Sequence, residues 1–299
     1  MDRVSDSEDG GSTDGIVGMH ALSGNTGMEI VGVDLREPLS DRAYREISRA
    51  LFNWGVVFFR NQVLTPGQQI SFARRFGTVE RPKGPSSMGA LENHPELHEV
   101  RRKPSDVRNP GGFWHVDQCF KDMPAWGTVL YSRELPTAGG DTMFAHMGAV
   151  LDKLSPGLRK TLRTLRAVQD RTISYEPGSP QAIGFTEEQL ATLRQKYAAS
   201  RAIHPVVARH PETGREVLFV NPGYTVNFEG WTRQESQPLI QYLCDLAARP
   251  ENICRFKWED GSLAFWDNRV VMHYAIDDYP GQGRLMHRCI VSGSWLEPL

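Results

Sequence analysis

The sequence is poor in the features that mark several common protein classes. Its 299 residues include only four cysteines, Cys119, Cys244, Cys254 and Cys289. They are scattered without a Cys-x-x-Cys pair, which argues against thiolate zinc or a disulfide framework and for reduced thiols. No run approaches the roughly 18 to 20 apolar residues needed to span a bilayer. A basic excess is missing too, with 34 Lys and Arg against 36 Asp and Glu, so a nucleic-acid binder is not expected. Gly139-Gly140 does not continue as Gly-x-Gly-x-x-Gly, and strands and helices do not alternate regularly, which excludes a doubly wound dinucleotide fold. Nothing repeats at a fixed period. Residues 1–15 hold most of the local acidity (Asp2, Asp6, Glu8, Asp9 and Asp14 against Arg3) and lack an apolar core. They read as a disordered tail and not a secretory signal, making the cytoplasm the expected location.

What is present is a globular composition, 39% hydrophobic and 23% charged, arranged as helices and a strand, further strands, a helical stretch, then many short strands. Met28–Asp34 and Val56–Phe59 read as strands. Ser40 caps a helix whose Tyr44, Ile47 and Leu51 share a face, and Gly55 ends it. Thr65-Pro66 opens a second helix closing at Gly77. Residues 77–112, rich in Pro, Gly and Ser, read as a long lid-like loop with one short strand at Leu97–Val100. Residues 147–200 read as a mostly helical insert, and Thr186-x-x-Gln189 and Thr232-x-x-Glu235 are capping boxes. Short strands rich in β-branched and aromatic residues follow, among them Ser262–Trp266, Val270–Ala275 and Arg284–Ser292. The expected fold is mainly β with helices, a sandwich or jelly roll in one domain over residues 16–299.

Among nine histidines, one neighbourhood stands apart: Phe113-Trp-His-Val-Asp117. On an extended segment His115 and Asp117 point to the same side, so an imidazole and a carboxylate can flank one metal. The tripeptide alone is common by chance. His273, ending the apolar strand after Ala264-Phe-Trp-Asp-Asn-Arg269, offers a third ligand. In Arg284-Leu-Met-His-Arg-Cys-Ile290, Arg284, Met286, Arg288 and Ile290 share one face. That face reads either as a solvated edge or as an interior where guanidinium forks hold anions. Two histidines and a carboxylate on one face of iron leave three open positions, enough for a chelating 2-oxo acid and dioxygen.

Trp114-His-Val-Asp117, Leu135-Pro-Thr-Ala-Gly-Gly-Asp-Thr142, Leu218-Phe-Val-Asn221, Trp266-Asp-Asn-Arg269 with His273-Tyr-Ala275, and Arg284-x-Met-His-Arg288 together resemble one family. It is the taurine dioxygenase / 2,4-dichlorophenoxyacetate dioxygenase (TauD/TfdA) family of Fe(II)- and 2-oxoglutarate-dependent enzymes, matched from about Met28 to Gly293. The resemblance implies a double-stranded β-helix and hydroxylation of a C–H bond of a small anionic substrate, with 2-oxoglutarate and dioxygen giving succinate and CO2. It implies that His115, Asp117 and His273 bind Fe(II) and that Thr142 and Arg284 hold 2-oxoglutarate. Trp266 would pack beside that site, Arg288 would hold the substrate anion, and Tyr224 would be a pocket aromatic or a core tyrosine. A homodimer or tetramer is implied, and neither nucleic acid nor membrane is an expected partner. Taurine-type enzymes carry a histidine after the Phe-Gly that closes the second helix. Here that stretch reads Phe76-Gly-Thr-Val-Glu-Arg-Pro-Lys83, and Gly111 stands where they have an amide, which argues against taurine. Arg81 or Lys83 is either a replacement or an exposed loop cation. His94 and His98 read as surface residues; His146, His204 and His210 as capping or solvated; His287 as structural. The rivals are a zinc hydrolase on the same three ligands and a non-catalytic binding module.

Overall fold

The computed structural model describes residues 15–81, 89–293 and 295–299. The expected tail up to residue 14, and Lys83, lie outside the described residues. The architecture is mainly β with helices. A large sheet runs, neighbour by neighbour, through Gly18–Ala21, Met28–Val31, Val56–Phe59, Leu263–Asp267, Gly127–Glu134, Arg284–Ser292, His94–Arg102 and Ala90–Leu91. Thr78–Val79 pairs with the far end of Arg284–Ser292. A smaller sheet places Thr142–His146 between Ile253–Phe256 and Val271–Ala275.

Strand parity decides what each face meets. Val56, Phe58, Ala264, Trp266 and Met286 face the smaller sheet and pack with Phe144, Cys254, Phe256 and Val271. Phe58 stacks on Phe256 with centroids 3.9 Å apart. The alternate residues, Val57, Phe59, Leu263, Phe265, Cys289 and Val291, meet Ile47, Leu51, Ile70 and Phe72 of two helices, Asp41–Trp54 and Pro66–Arg74. The first helix starts at Ser40, whose hydroxyl accepts from the Ala43 N–H, and ends where Gly55 turns left-handed at φ 75°. Thr65, Thr186 and Thr232 each close a full capping box. A third helix, Arg233–Ala247, buries Ile240, Leu243 and Leu246 against Ala145 and Met272, covering the outer side of the smaller sheet.

Two expectations about segments are corrected. The short strand expected at Leu97–Val100 is longer: residues 94–102 form a nine-residue strand paired antiparallel with Arg284–Ser292. The stretch 147–200 contains helices Met147–Asp152, Pro156–Leu162 and Glu187–Lys196, but also the strand Arg166–Asp170. That strand is the centre of a three-stranded sheet with Arg201–Pro205 and Thr225–Phe228. Among the described residues, no helix is long and apolar enough to cross a membrane.

Candidate metal centre and its pocket

His115 and His273 come from distant parts of the chain and are joined by a bridge of two backbone hydrogen bonds. The His115 N–H donates to the His273 carbonyl at 3.0 Å and the His273 N–H donates to the His115 carbonyl at 2.9 Å. The imidazoles consequently lie side by side, with centroids 4.2 Å apart. Between His115 and Asp117, Val116 goes into the core, and the chain turns after Asp117 at Gln118, φ 56°. Asp117 is thereby turned back, its Oδ1 3.8 Å from His115 Nε2 and its Oδ2 4.0 Å from His273 Nε2. One ligand atom from each residue lies within 4.8 Å of the others, and all three residues are buried.

The donor chemistry fits a divalent cation. His115 Nδ1 lies 2.8 Å from the Phe113 carbonyl, so that nitrogen carries the proton and the Nε2 lone pair faces Asp117. Burial lowers the pKa of both imidazoles, His273 to about 3, so they are neutral ligands at neutral pH. Burial would raise the pKa of the Asp117 carboxyl. The Arg288 guanidinium, the two histidines and the Thr128 hydrogen bond outweigh that and hold it at about 2. Thr128 Oγ1 donates to Asp117 Oδ2 at 2.8 Å and accepts from Asn268 Nδ2 at 2.9 Å, while Asn268 Oδ1 accepts from Trp266 Nε1 at 2.9 Å. This relay fixes the carboxylate and leaves Oδ1 toward His115. His273 Nδ1 is buried without a partner.

Beside this centre lies a cationic cradle. Arg284 is buried, and its Nε and Nη2 have no hydrogen-bond partner. Thr142 Oγ1 accepts from Trp258 Nε1 at 2.9 Å, which leaves its proton free to donate. The backbone opposite is glycine for a steric reason: Gly140 has φ 73°, and a Cβ there would lie 3.4 Å from Arg284 Cδ. The tryptophan at Arg284 and Thr142 is Trp258, its ring 5.7 Å from the guanidinium carbon. Trp266 instead packs against His273, with centroids 4.7 Å apart. On the other flank Arg288 brings Nη1 to 3.6 Å from Asp117 Oδ1, and its buried Nε has no partner. Phe113 stacks on His115 at 4.5 Å, and Tyr224 stands edge-on to Phe113 and Phe120, giving an aromatic wall.

Other expectations resolve as follows. Arg81 is no free cation, because it pairs at 2.7 Å with Glu96, which Arg74 also pairs at 2.8 Å. His146 caps the Met147–Asp152 helix. His204 and His210 are not solvated; they are buried, His204 on the Lys121 carbonyl and His210 on Asp267. His287 is buried, on the strand face opposite Arg288. Sequence reasoning missed Trp258, Thr128 and the position of His98. A Trp followed by Glu-Asp-Gly reads as a core residue before a turn, and a lone threonine carries no signal.

Residues 20–290 match the family described as Taurine catabolism dioxygenase TauD, TfdA family, and the chain belongs to it. An alkylsulfatase of Acinetobacter baylyi is 31% identical over 92% of this chain and 84% of its own length. A 2,4-dichlorophenoxyacetate dioxygenase of Cupriavidus pinatubonensis, named as alpha-ketoglutarate-dependent, is 32% identical over 81% of this chain and 85% of its own. The crystal structure of a taurine dioxygenase from Burkholderia xenovorans superposes with a TM-score of 0.76 at 33% identity, covering 93% of this chain and 90% of that one.

Proposed function

We propose that this chain is an Fe(II)- and 2-oxoglutarate-dependent dioxygenase, built as one double-stranded β-helix domain over residues 16–299. It hydroxylates a C–H bond of a small anionic substrate: a sulfonate, a sulfate ester, an aryloxyalkanoate or another carboxylate. The observation that carries this reading is Arg284, a buried guanidinium with two nitrogens unpartnered, beside a threonine hydroxyl whose acceptor side is already used. Burying such a group without a partner is costly, and the far carboxylate of 2-oxoglutarate satisfies both. A zinc hydrolase would need the three ligands but gives this cradle no work.

When bound by His115, Asp117 and His273, Fe(II) supplies the redox chemistry that couples decarboxylation of 2-oxoglutarate to insertion of one dioxygen atom into the substrate. The chain's own residues provide orientation. Arg284 and Thr142 fix the co-substrate at its far end, and the Thr128–Asn268–Trp266 relay holds Asp117 in one pose. Arg288, close to Asp117, draws the substrate anion next to the metal, and Phe113, Phe120 and Tyr224 exclude water from the reacting carbon. Where that carbon carries an oxygen or sulfur substituent, the hydroxylated product collapses and the C–O or C–S bond breaks. Alkylsulfatase and aryloxyalkanoate relatives support these substrate classes. The cytoplasm and a dimer or tetramer complete the proposal.

The test is succinate release by the Fe(II)-loaded protein with 2-oxoglutarate across sulfonates, sulfate esters, aryloxyalkanoates and carboxylates. Stimulation by at least one class is expected. Absence of iron-dependent succinate with every class would overturn the reading.

A further inference from the structure

Arg288 has a neighbour on the adjacent strand. In the antiparallel pair of His94–Arg102 with Arg284–Ser292, Arg288 stands directly opposite His98. Side chains of directly opposed residues point to the same face a few ångströms apart. That face is the pocket side. Leu97 packs with the outer helices, and Val100, two residues on from His98, packs with the inner cluster around Met286. His98 is half-buried, and its Nε2 is buried without a hydrogen-bond partner. The Nε of Arg288 is in the same condition. Two unpartnered nitrogens, one from each strand, therefore lie on the same face of the sheet as the Arg288 guanidinium that reaches Asp117.

The surroundings are adjusted for an anion. Glu96, two residues before His98 on the same face, is neutralised by Arg74 and Arg81, so it does not repel one. Burial, reinforced by the Arg288 charge, lowers the His98 pKa and keeps the imidazole neutral, a state in which one ring nitrogen still donates.

We propose that His98 is a specificity-determining residue that acts with Arg288 on a sulfate-ester or sulfonate group, Arg288 holding two oxygens and His98 Nε2–H a third. The proposal rests on the reading of Arg288 as the substrate's anion anchor. A guanidinium fork alone matches both oxygens of a planar carboxylate. A donor arriving from another strand, outside that plane, meets the third oxygen of a tetrahedral anion more directly than the in-plane lone pairs a carboxylate has left. The site is thereby tuned to tetrahedral oxyanions over carboxylates.

The experiment uses the full chain loaded with Zn(II) and 2-oxoglutarate, so that no turnover occurs, titrated calorimetrically with hexyl sulfate and with heptanoate. The wild type is expected to bind hexyl sulfate more tightly. His98→Leu should weaken hexyl sulfate about tenfold, the size of one lost hydrogen bond to a charged group. Heptanoate and 2-oxoglutarate should stay within about twofold, and His98→Gln should recover most of the loss by keeping a donor. In the wild type, the His98 imidazole nitrogen resonance should move as hexyl sulfate is added, a measurement that needs no variant. An unmoved resonance, unchanged hexyl sulfate binding in His98→Leu, or an equal loss for both anions overturns the proposal. If instead Arg288→Gln leaves both anions bound as before, it is the anchor reading that fails.

Discussion

Two buried arginines sit in the same part of the fold and live in opposite conditions. Arg269, in the turn before the His273 strand, is almost wholly enclosed. Its Nε and Nη2 donate to Asp267 at 2.8 and 2.6 Å, and its Nη1 lies 2.9 Å from Glu212. His210 Nε2 adds a contact to Asp267 at 3.0 Å. Arg284 is buried to nearly the same degree, yet two of its nitrogens reach no acceptor. The first is part of the floor that fixes the turn under the metal ligands. The second has been desolvated during folding with no acceptor waiting, a cost that makes sense where a ligand completes the arrangement. The contrast separates structural charge from functional charge without reference to motif.

The sharpest way to break that comparison is to replace each arginine by methionine, which keeps length and removes charge. Arg269→Met strands the Asp267 carboxylate in the interior and should cost roughly 3–5 kcal/mol of stability, seen as a large fall in melting temperature. Arg284→Met should leave the melting temperature unchanged or raise it, while the dissociation constant for 2-oxoglutarate rises on the order of a hundredfold. If both variants lose stability equally, the distinction is wrong.

A next effect concerns His146, a buried histidine whose Nε2 also lacks a partner. Its Nδ1 accepts from the Ala149 N–H, so it must stay unprotonated, and burial first, then Arg215, lower its pKa from 6.5 to about 4. A lowered histidine pKa means the unfolded chain takes up the proton first. The contribution is therefore present above pH 6.5 and lost as pH falls toward 4, roughly 3 kcal/mol at the limit. His146→Asn keeps an acceptor for the cap, and its melting temperature should fall less steeply than the wild type's between pH 7 and pH 4. Parallel profiles for the two proteins would count against this account.

The smallest effect tests whether the paired region tunes the metal. Thr128→Val removes the bond to Asp117 Oδ2 and should weaken Fe(II) binding about tenfold in equilibrium dialysis, with Thr128→Ser restoring it. Equal affinity in all three proteins would make the relay a packing detail.

Much of this was legible in the residues, and the exceptions have physical causes. The capping threonines Thr186 and Thr232 announce themselves because a hydroxyl three residues before a Glu or Gln has one local use. The period-two alternation of Arg284, Met286 and Arg288 puts two cations on one face, because strand geometry leaves no other arrangement, and the packing of Met286 against the smaller sheet makes that face the inner one. The strand carrying His98 reads too short in the sequence, as Leu97–Val100, because Val100 is the one apolar residue on an inner face that otherwise holds Glu96, His98 and Arg102, so hydrophobic alternation is weak. His210 looked solvated because it precedes Pro-Glu-Thr-Gly, and only the long-range pairing with Asp267 buries it. Polar residues turned toward a pocket erase the pattern by which a strand is found, so part of the site was hidden by its own chemistry.

The mutual hydrogen bonds of His115 and His273 join points more than half the chain apart. Closing so long a loop is slow and comes after local structure has formed. During synthesis, a chain that has not yet reached residue 273 has at most two of the three proposed ligands. On the proposed ligand set, metal capture would therefore wait for this long-range closure, and a chain short of residue 273 would offer no complete centre.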